Sequence, residues 1–419
     1  MGFEQGCYGN DRVGTPHMDR LAEQGMRFAS AFTPTAICSP SRSAWFTGMY
    51  PHTNGQMGFY PQNQLHPWVT TMPAVLGAAE YRCGLIGKFH VSPEDLFPWD
   101  VEVPTGELGH GRDPEAFGRV ATLFLNAVGD QPFLLSVNFS DPHRPFPKRG
   151  ETKGREAEVA NPHDPERVLI PPFLADDPVI REDLAAYYDA VARFDAGLGL
   201  VLKALEESGR AGDTLIMVTS DNGMAFPRAK TTLYDPGLRM PFWARWDGVI
   251  EPGTVCDEMV SFIDVLPTLC DAAGIEVPEE VQGRSFLPIL RGKSQEGRDC
   301  VFGTHTNHAG ERHHPSRAIR TGELKYILNL RPNAGFNNEA LGSATGQAML
   351  RLAESDAVIA ERMRLFIDRP PEELYDLRSD PDEFVNVIDD PAYADALADL
   401  RARLQKWREE TRDPLLQGA

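Results

Sequence analysis

"REDLAAYYDAVARFDAGLGLVLKALEESGRAGDTLIMVTSDNG", residues 181–223, runs a long amphipathic segment straight into a short apolar one. In its first part Leu184, Tyr188, Val191, Leu198, Val201, Leu202 and Leu205 share one stripe at helical spacing, which predicts a long helix lying against a sheet. The second part, DTLIMVTSDNG, is apolar until it stops at Asp221 and Asn222, the pattern of a buried strand with polar residues at its end. Outward from this stretch the same unit recurs: TPHMDRLAEQG (15–25) precedes MRFASAFT (26–33), TTMPAVLGAAE (70–80) precedes YRCGLIGKFH (81–90), and DPEAFGRVATLFLNAVGD (113–130) precedes PFLLSVNFSDPH (132–143). MPFWARW (240–246) reads as a further strand. Repeated helix–strand units predict an α/β fold, a mostly parallel sheet flanked by helices with its polar groups along one edge.

After about residue 295 the texture changes. CVFGTHTN (300–307), RAIRTGELKYILNL (317–330) and ELYDLRSDPDE (373–383) suggest short antiparallel strands, and PAYADALADLRARLQKWREE (391–410) an amphipathic helix. The expected organisation is a large domain over 1–295 and a smaller C-terminal α+β subdomain over 296–419 carrying a short antiparallel sheet. With 41 Lys and Arg against 61 Asp and Glu, the net charge of −20 repels nucleic acid and anionic membrane surfaces. An anionic substrate therefore needs a local basic pocket. No apolar run approaches the ~18 residues of a membrane span. The opening MGFEQGCYGN carries no basic and apolar secretion signal, which leaves cytoplasm and periplasm both open, as it does monomer and homodimer. Six dispersed cysteines with no CxxC pair argue against a disulfide framework or a zinc site.

The strand ends carry the chemistry. Lys88 and His90 close one, Asp141 and His143 another, Asp221 and Asn222 a third, and Lys230 lies in the loop that follows. Cys38, in AICSPSRSAWFTG (36–48), stands where a helix starts, since Pro40 suits a first turn. Each residue alone has an ordinary reading: a buried thiol, a structural histidine, an Asp-Asn-Gly turn, a solvated lysine. Together on one sheet edge they suit an anion. The helix N-terminus and Arg42 offer fixed donors, and Lys88 and Lys230 neutralise oxygens. Asp221 and Asn222 offer hard oxygen ligands to Ca²⁺ or Mg²⁺, and the two histidines can move protons. This is a set for hydrolysing an anionic group.

Cys38-Ser39-Pro40-Ser41-Arg42 followed by Thr47-Gly48 resembles the signature of the type I sulfatases, in which the cysteine of C-x-P-x-R is oxidised to formylglycine. TPHMDRLAEQGMRFASAF, GLIGKFH, SDPH, VTSDNG and ELYDLRSDPDEFVNV resemble further family stretches, so the likeness spans the whole chain. Within the family, CSPSRSAWFTGMYPHTNGQMGFY, IGKFHVSPEDLFPWD, SDNGMAFPRAKTTLYDPG and KWREETRDP are similar to the sulfamidases, which remove N-sulfate from glucosamine units of heparan sulfate.

The resemblance implies an alkaline-phosphatase-like fold and a formylglycine hydrate derived from Cys38 as nucleophile. It implies Arg42 holding that group, Lys88 and Lys230 on the sulfate oxygens, His90 assisting the hydrate and His143 protonating the leaving amine or alcohol. Asp221, Asn222 and the modified Cys38 would bind the cation, Ca²⁺ in preference to Mg²⁺, and His305 and His308 in GTHTNH would line the substrate pocket. The implied partners are a sulfated carbohydrate and a formylglycine-generating enzyme during maturation. Two other readings stand beside this one: a catalytically impaired sulfatase-like protein that binds sulfated glycans, and a phosphate or phosphonate monoester hydrolase of the same superfamily. The family pattern also places a strand ending in Asp-Asp before the segment resembling GFEQGCYGN. The expectation is that this strand lies upstream of Met1, and that the chain as written binds metal weakly and folds less stably.

Overall fold

In the computed structural model, which describes residues 1–295, 298–308, 312–332 and 334–416, twelve strands follow one another. They are β1 (Met26–Phe32), β2 (Arg82–Gly87), β3 (Val101–Pro104), β4 (Phe133–Asn138), β5 (Ile216–Thr219), β6 (Arg239–Arg245), β7 (Thr254–Cys256), β8 (Val260–Ser261), β9 (Cys300–His308), β10 (Arg312–Thr321), β11 (Leu324–Asn329) and β12 (Glu372–Asp376). The domain boundary expected at 295/296 touches residues 296–297, which lie outside the described residues.

The strands form three sheets. One runs β5-β6-β1-β7, with β8 also pairing β1; a second runs β3-β2-β4; the third runs β12-β11-β10-β9. The second sheet is wholly parallel and the third wholly antiparallel. In the first, β1 is parallel to β7 and β8, but β6 runs antiparallel to both its neighbours, pairing Phe28 with Phe242 and Val218 with Trp243. This sheet is therefore mixed. A continuous apolar run such as MPFWARW reports burial on both faces but says nothing of direction. The segment 317–330 is two strands folded about Gly322 and Glu323, where an apolar period ran on across a tight turn.

The stripe in the opening stretch becomes the helix Pro178–Glu207, capped by the Asp177 carboxylate accepting from the Val179 amide. Pro at its first position and the Asp cap satisfy the start rules for a helix. It packs along the helix Pro114–Val128, which Asp113 caps in the same way. Between β4 and β5 no ladder forms; an apolar cavity of about 280 Å³ separates them, lined by Leu135, Val137, Phe194, Leu198 and Met217 among others. On the other side of the first sheet Phe28 stacks on Phe242 at 4.7 Å between ring centres, with Phe286 edge-on to both. The last helix, Ala394–Glu410, joins the C-terminal sheet through a buried ion pair: Asp413, just beyond it, binds Arg317 of β10 at 2.7 Å and Arg408 at 2.8 Å. No helix of the described residues is long and apolar enough to cross a membrane.

Candidate functional site

Cys38 is the first residue of the helix Cys38–Thr47, and its side chain is buried. The preceding residue, Ile37, is extended and provides no side-chain cap; Pro40 carries no amide hydrogen and the Ser41 amide bonds the Ile37 carbonyl at 2.9 Å, which leaves the Cys38 and Ser39 amides as the free ends of the helix. Gly48, at φ 67°, ends the helix in a conformation that favours glycine. The Cys38 Sγ donates to Asn222 Oδ1 at 3.2 Å. Burial alone would raise the thiol, but Lys230 and Lys88 overcome it and hold Cys38 well below the usual thiol range. A structural thiol needs no such surroundings.

Lys88 arrives by a sharp exit from β2. Gly87 has φ 99°, and a Cβ there would collide with the Asn138 carbonyl, so the turn requires glycine. His90 also lies in the left-handed region, at φ 67°, its ring edge-on to Phe59 at 4.8 Å. Burial lowers its imidazole, keeping it neutral and able to take a proton. From the end of β4, His143 sits on a loop braced by Asp141, whose buried carboxylate binds Arg112 at 3.0 Å and Arg193 at 2.6 Å.

His143 Nδ1 lies 2.6 Å from the Arg144 carbonyl, and its Nε2 lies 3.0 Å from Lys230 Nζ. A carbonyl only accepts and an ammonium only donates, so the proton is on Nδ1 and Nε2 presents a lone pair to Lys230. Lys230, itself buried, also donates to Glu339 Oε1 at 2.7 Å. Burial would lower the Lys230 ammonium, but Cys38 and Glu339 keep it raised.

At the end of β5, Asp221 Oδ2 accepts from Arg42 Nε at 2.9 Å, and Arg42 Nη1 donates to the Lys88 carbonyl at 3.0 Å. The guanidinium thus ties the β5 end to the β2 end. Burial would raise the Asp221 carboxyl, but Arg42 and Lys88 hold it well below its ordinary range. The Met1 amino group donates to Ser220 Oγ at 2.7 Å and to the Asn222 carbonyl at 2.9 Å.

The structure brings Arg42, Lys88, His143, Asp221, Asn222 and Lys230 around one cavity of about 90 Å³. Cys38 bonds Asn222 at its edge, and His90 stands near enough to Cys38 to feel it. Both histidines of β9 are buried. His308 lies 5.6 Å from the Phe59 ring and influences Glu339. His305 lies 6.2 Å from the Phe336 ring, where burial and then Arg369 lower its imidazole far below the usual value. Glu339, from the distant C-terminal part of the chain, is the site residue that sequence reasoning missed; FNNEAL (336–341) carries no periodicity or motif that marks it. From His143 an open groove of about 830 Å³ runs outward past Arg144, Glu339, Ser343 and Gln347.

As a metal site the cluster is sparse. Asp221 and Asn222 supply two hard oxygens, whereas Ca²⁺ takes about six to eight. Among the described residues no group of three or more His, Cys, Asp or Glu side chains is placed to hold a metal ion.

Comparison with known proteins bears on the whole chain. A family model described as Sulfatase matches residues 2–275, and one described as N-sulphoglucosamine sulphohydrolase, C-terminal, matches residues 228–334. Human N-sulphoglucosamine sulphohydrolase is 34% identical over 455 residues, which cover 99% of this chain and 89% of the human protein. An ulvan-active sulfatase of Formosa agariphila is 33% identical over 428 residues, covering 99% of this chain and 78% of that protein. Among solved structures, one in complex with its substrate D-glucosamine-2-N,6-O-disulfate superposes with a TM-score of 0.73 at 22% identity, covering 98% of this chain and 95% of that one. The phosphonate monoester hydrolase of Silicibacter pomeroyi superposes with a TM-score of 0.72 at 20% identity, covering 97% and 93%. At such identities the likeness is one of fold, the alkaline-phosphatase-like fold of the sulfatases.

Proposed function

Because this chain belongs to the sulfatase family, we propose that it hydrolyses sulfate from a sulfated sugar of the N-sulfoglucosamine type, with Cys38 as the precursor of its nucleophile. The observation that carries the reading is the pair of lysines, Lys88 and Lys230, converging on a buried helix-starting cysteine with two imidazoles beside it. Formylglycine made from Cys38 would supply a hydrated aldehyde, one hydroxyl to attack sulfur and a second to expel sulfate afterwards.

The remaining steps belong to the chain's own side chains. Lys88 and Lys230 flank the sulfate and offset the negative charge that builds on its oxygens in the transition state. The helix that starts at Cys38 adds the partial positive charge of its N-terminus. His90, part-buried and with its imidazole lowered by that burial, takes the proton of the attacking hydroxyl. His143, hydrogen-bonded to Lys230 through Nε2, is the imidazole we assign to protonating the leaving nitrogen or oxygen, while Lys230 keeps its charge for the sulfate. Arg42 binds Asp221 and the Lys88 carbonyl, which fixes the cage, and from the same cavity wall it would hold the formylglycine. Of the two β9 histidines we assign His308 to the sugar, because it meets Phe59 and influences Glu339. A divalent cation, Ca²⁺ by the family's habit, would take Asp221 and Asn222 as ligands; these two do not fill a coordination shell, and no step here runs through it.

The test is production with a formylglycine-generating enzyme, confirmation of the modified Cys38 peptide by mass, and assay of sulfate release from glucosamine N-sulfate and its O-sulfated isomers. Release of sulfate from the N-sulfated sugar is expected. Release from O-sulfated sugars alone would overturn the N-sulfate reading, and release of phosphonate products instead would overturn the sulfatase one.

A further inference from the structure

The Lys230 ammonium is almost wholly buried, with a side chain 3% exposed, yet its carboxylate partner Glu339 is 40% exposed. Glu339 therefore does more than neutralise a lysine: one oxygen binds Lys230 while the rest of the carboxylate faces the groove that begins at His143. Its position is fixed from below. Asn338 donates to Thr231 Oγ1 at 2.7 Å and accepts from the Leu341 amide at 3.2 Å, which locks the turn Glu339–Gly342 onto the loop that carries Lys230. Burial would raise the Glu339 carboxyl, but Lys230 holds it down to about 2, so the charge is present throughout the neutral range.

A sulfate held between Lys88 and Lys230 directs the sugar that bears it along the open groove, past Glu339. We propose that Glu339 is a specificity-determining residue that excludes a second sulfate from the sugar whose sulfate is being cleaved. This inference rests on the sulfated-sugar reading above. An ionised carboxylate in a partly desolvated groove accepts hydrogen bonds from neutral hydroxyls and repels a further anion, so discrimination comes from the repulsive element. Replacing the charge has a second effect, since it also frees Lys230 to pull harder on any sulfate. That effect strengthens singly and doubly sulfated ligands alike, and it cancels in their ratio.

The experiment compares glucosamine N-sulfate with its 3-O- and 6-O-sulfated forms for the unaltered protein, Glu339→Gln and Glu339→Asp. Sulfate release is measured by ion chromatography, and affinity for the same three sugars by calorimetry on protein in which Cys38 is left unmodified. The unaltered protein should prefer the singly sulfated sugar by about tenfold in kcat/KM, mainly through KM, for at least one of the two positions. Glu339→Gln should largely remove that preference, and Glu339→Asp, which keeps the charge, should retain it. Unchanged melting temperatures separate this from loss of fold. A preference equal in all three proteins, or absent from the unaltered one, overturns the inference. If no sugar is turned over, but the calorimetric preference is present and is lost only with Gln, the function reading fails and the role of Glu339 stands.

Discussion

At the scale of single residues the site is a matter of charge held in place. Lys230 and Lys88 draw the Cys38 thiol down against the effect of its own burial, and Cys38 and Glu339 in turn keep the Lys230 ammonium raised. Cys38→Ala should abolish sulfate release, a loss of at least about 10³-fold in kcat, while shifting the melting temperature by only a few degrees. A variant that turns over normally would remove Cys38 from the chemistry. Much of this constellation was legible because each member ends a strand or starts a helix, where a sequence pattern changes visibly. Glu339 was not legible, because it stands more than a hundred residues from Lys230 in a loop without a pattern, and only tertiary packing joins them. The different neighbours of His305 and His308 were hidden for a related reason: the rings and charges each meets are set by tertiary packing, not by their spacing in β9.

At the scale of elements, the structure turns on how strands end. Gly87 is the clearest case, since its left-handed backbone and the nearby Asn138 carbonyl leave no room for a side chain where β2 delivers Lys88 and His90. Gly87→Ala should destabilise the protein by more than the ~1 kcal/mol of an unfavourable backbone, because the β2–β4 contact must also give way. Its kcat should fall even at temperatures where the fold survives; thermal unfolding alongside steady-state kinetics measures both. The helices and strands themselves were readable from apolar period and from caps such as Asp113-Pro114 and Asp177-Pro178. Strand direction was not readable, and β6 runs opposite to its neighbours for a reason that lies in its connections, not its composition.

At the scale of the molecule, one buried pair joins the chain's end to its C-terminal sheet. Arg317 and Asp413 have side chains with no exposure at all, and Arg408 adds a second guanidinium. Asp413→Asn leaves two buried cations short of a partner and should cost about 3–5 kcal/mol, read as a lower denaturant midpoint. Burial would raise the Asp413 carboxyl, but Arg317 draws it well below its ordinary value. The sign follows: the contribution is complete above the unfolded-state pKa of about 3.9 and is lost as pH falls below it. Stability measured from neutrality downwards should therefore drop more steeply below about pH 4 in the unaltered protein than in Asp413→Asn. The open cavity between β4 and β5 has a consequence of its own, in time instead of energy. In a strand every second amide points to each side, so half the amides along these two facing edges have no ladder partner across the gap. Hydrogen exchange should reveal an alternation in both strands, slow amides where β4 meets β2 and β5 meets β6, fast ones between. The two halves of the molecule should then open along that line long before either unfolds.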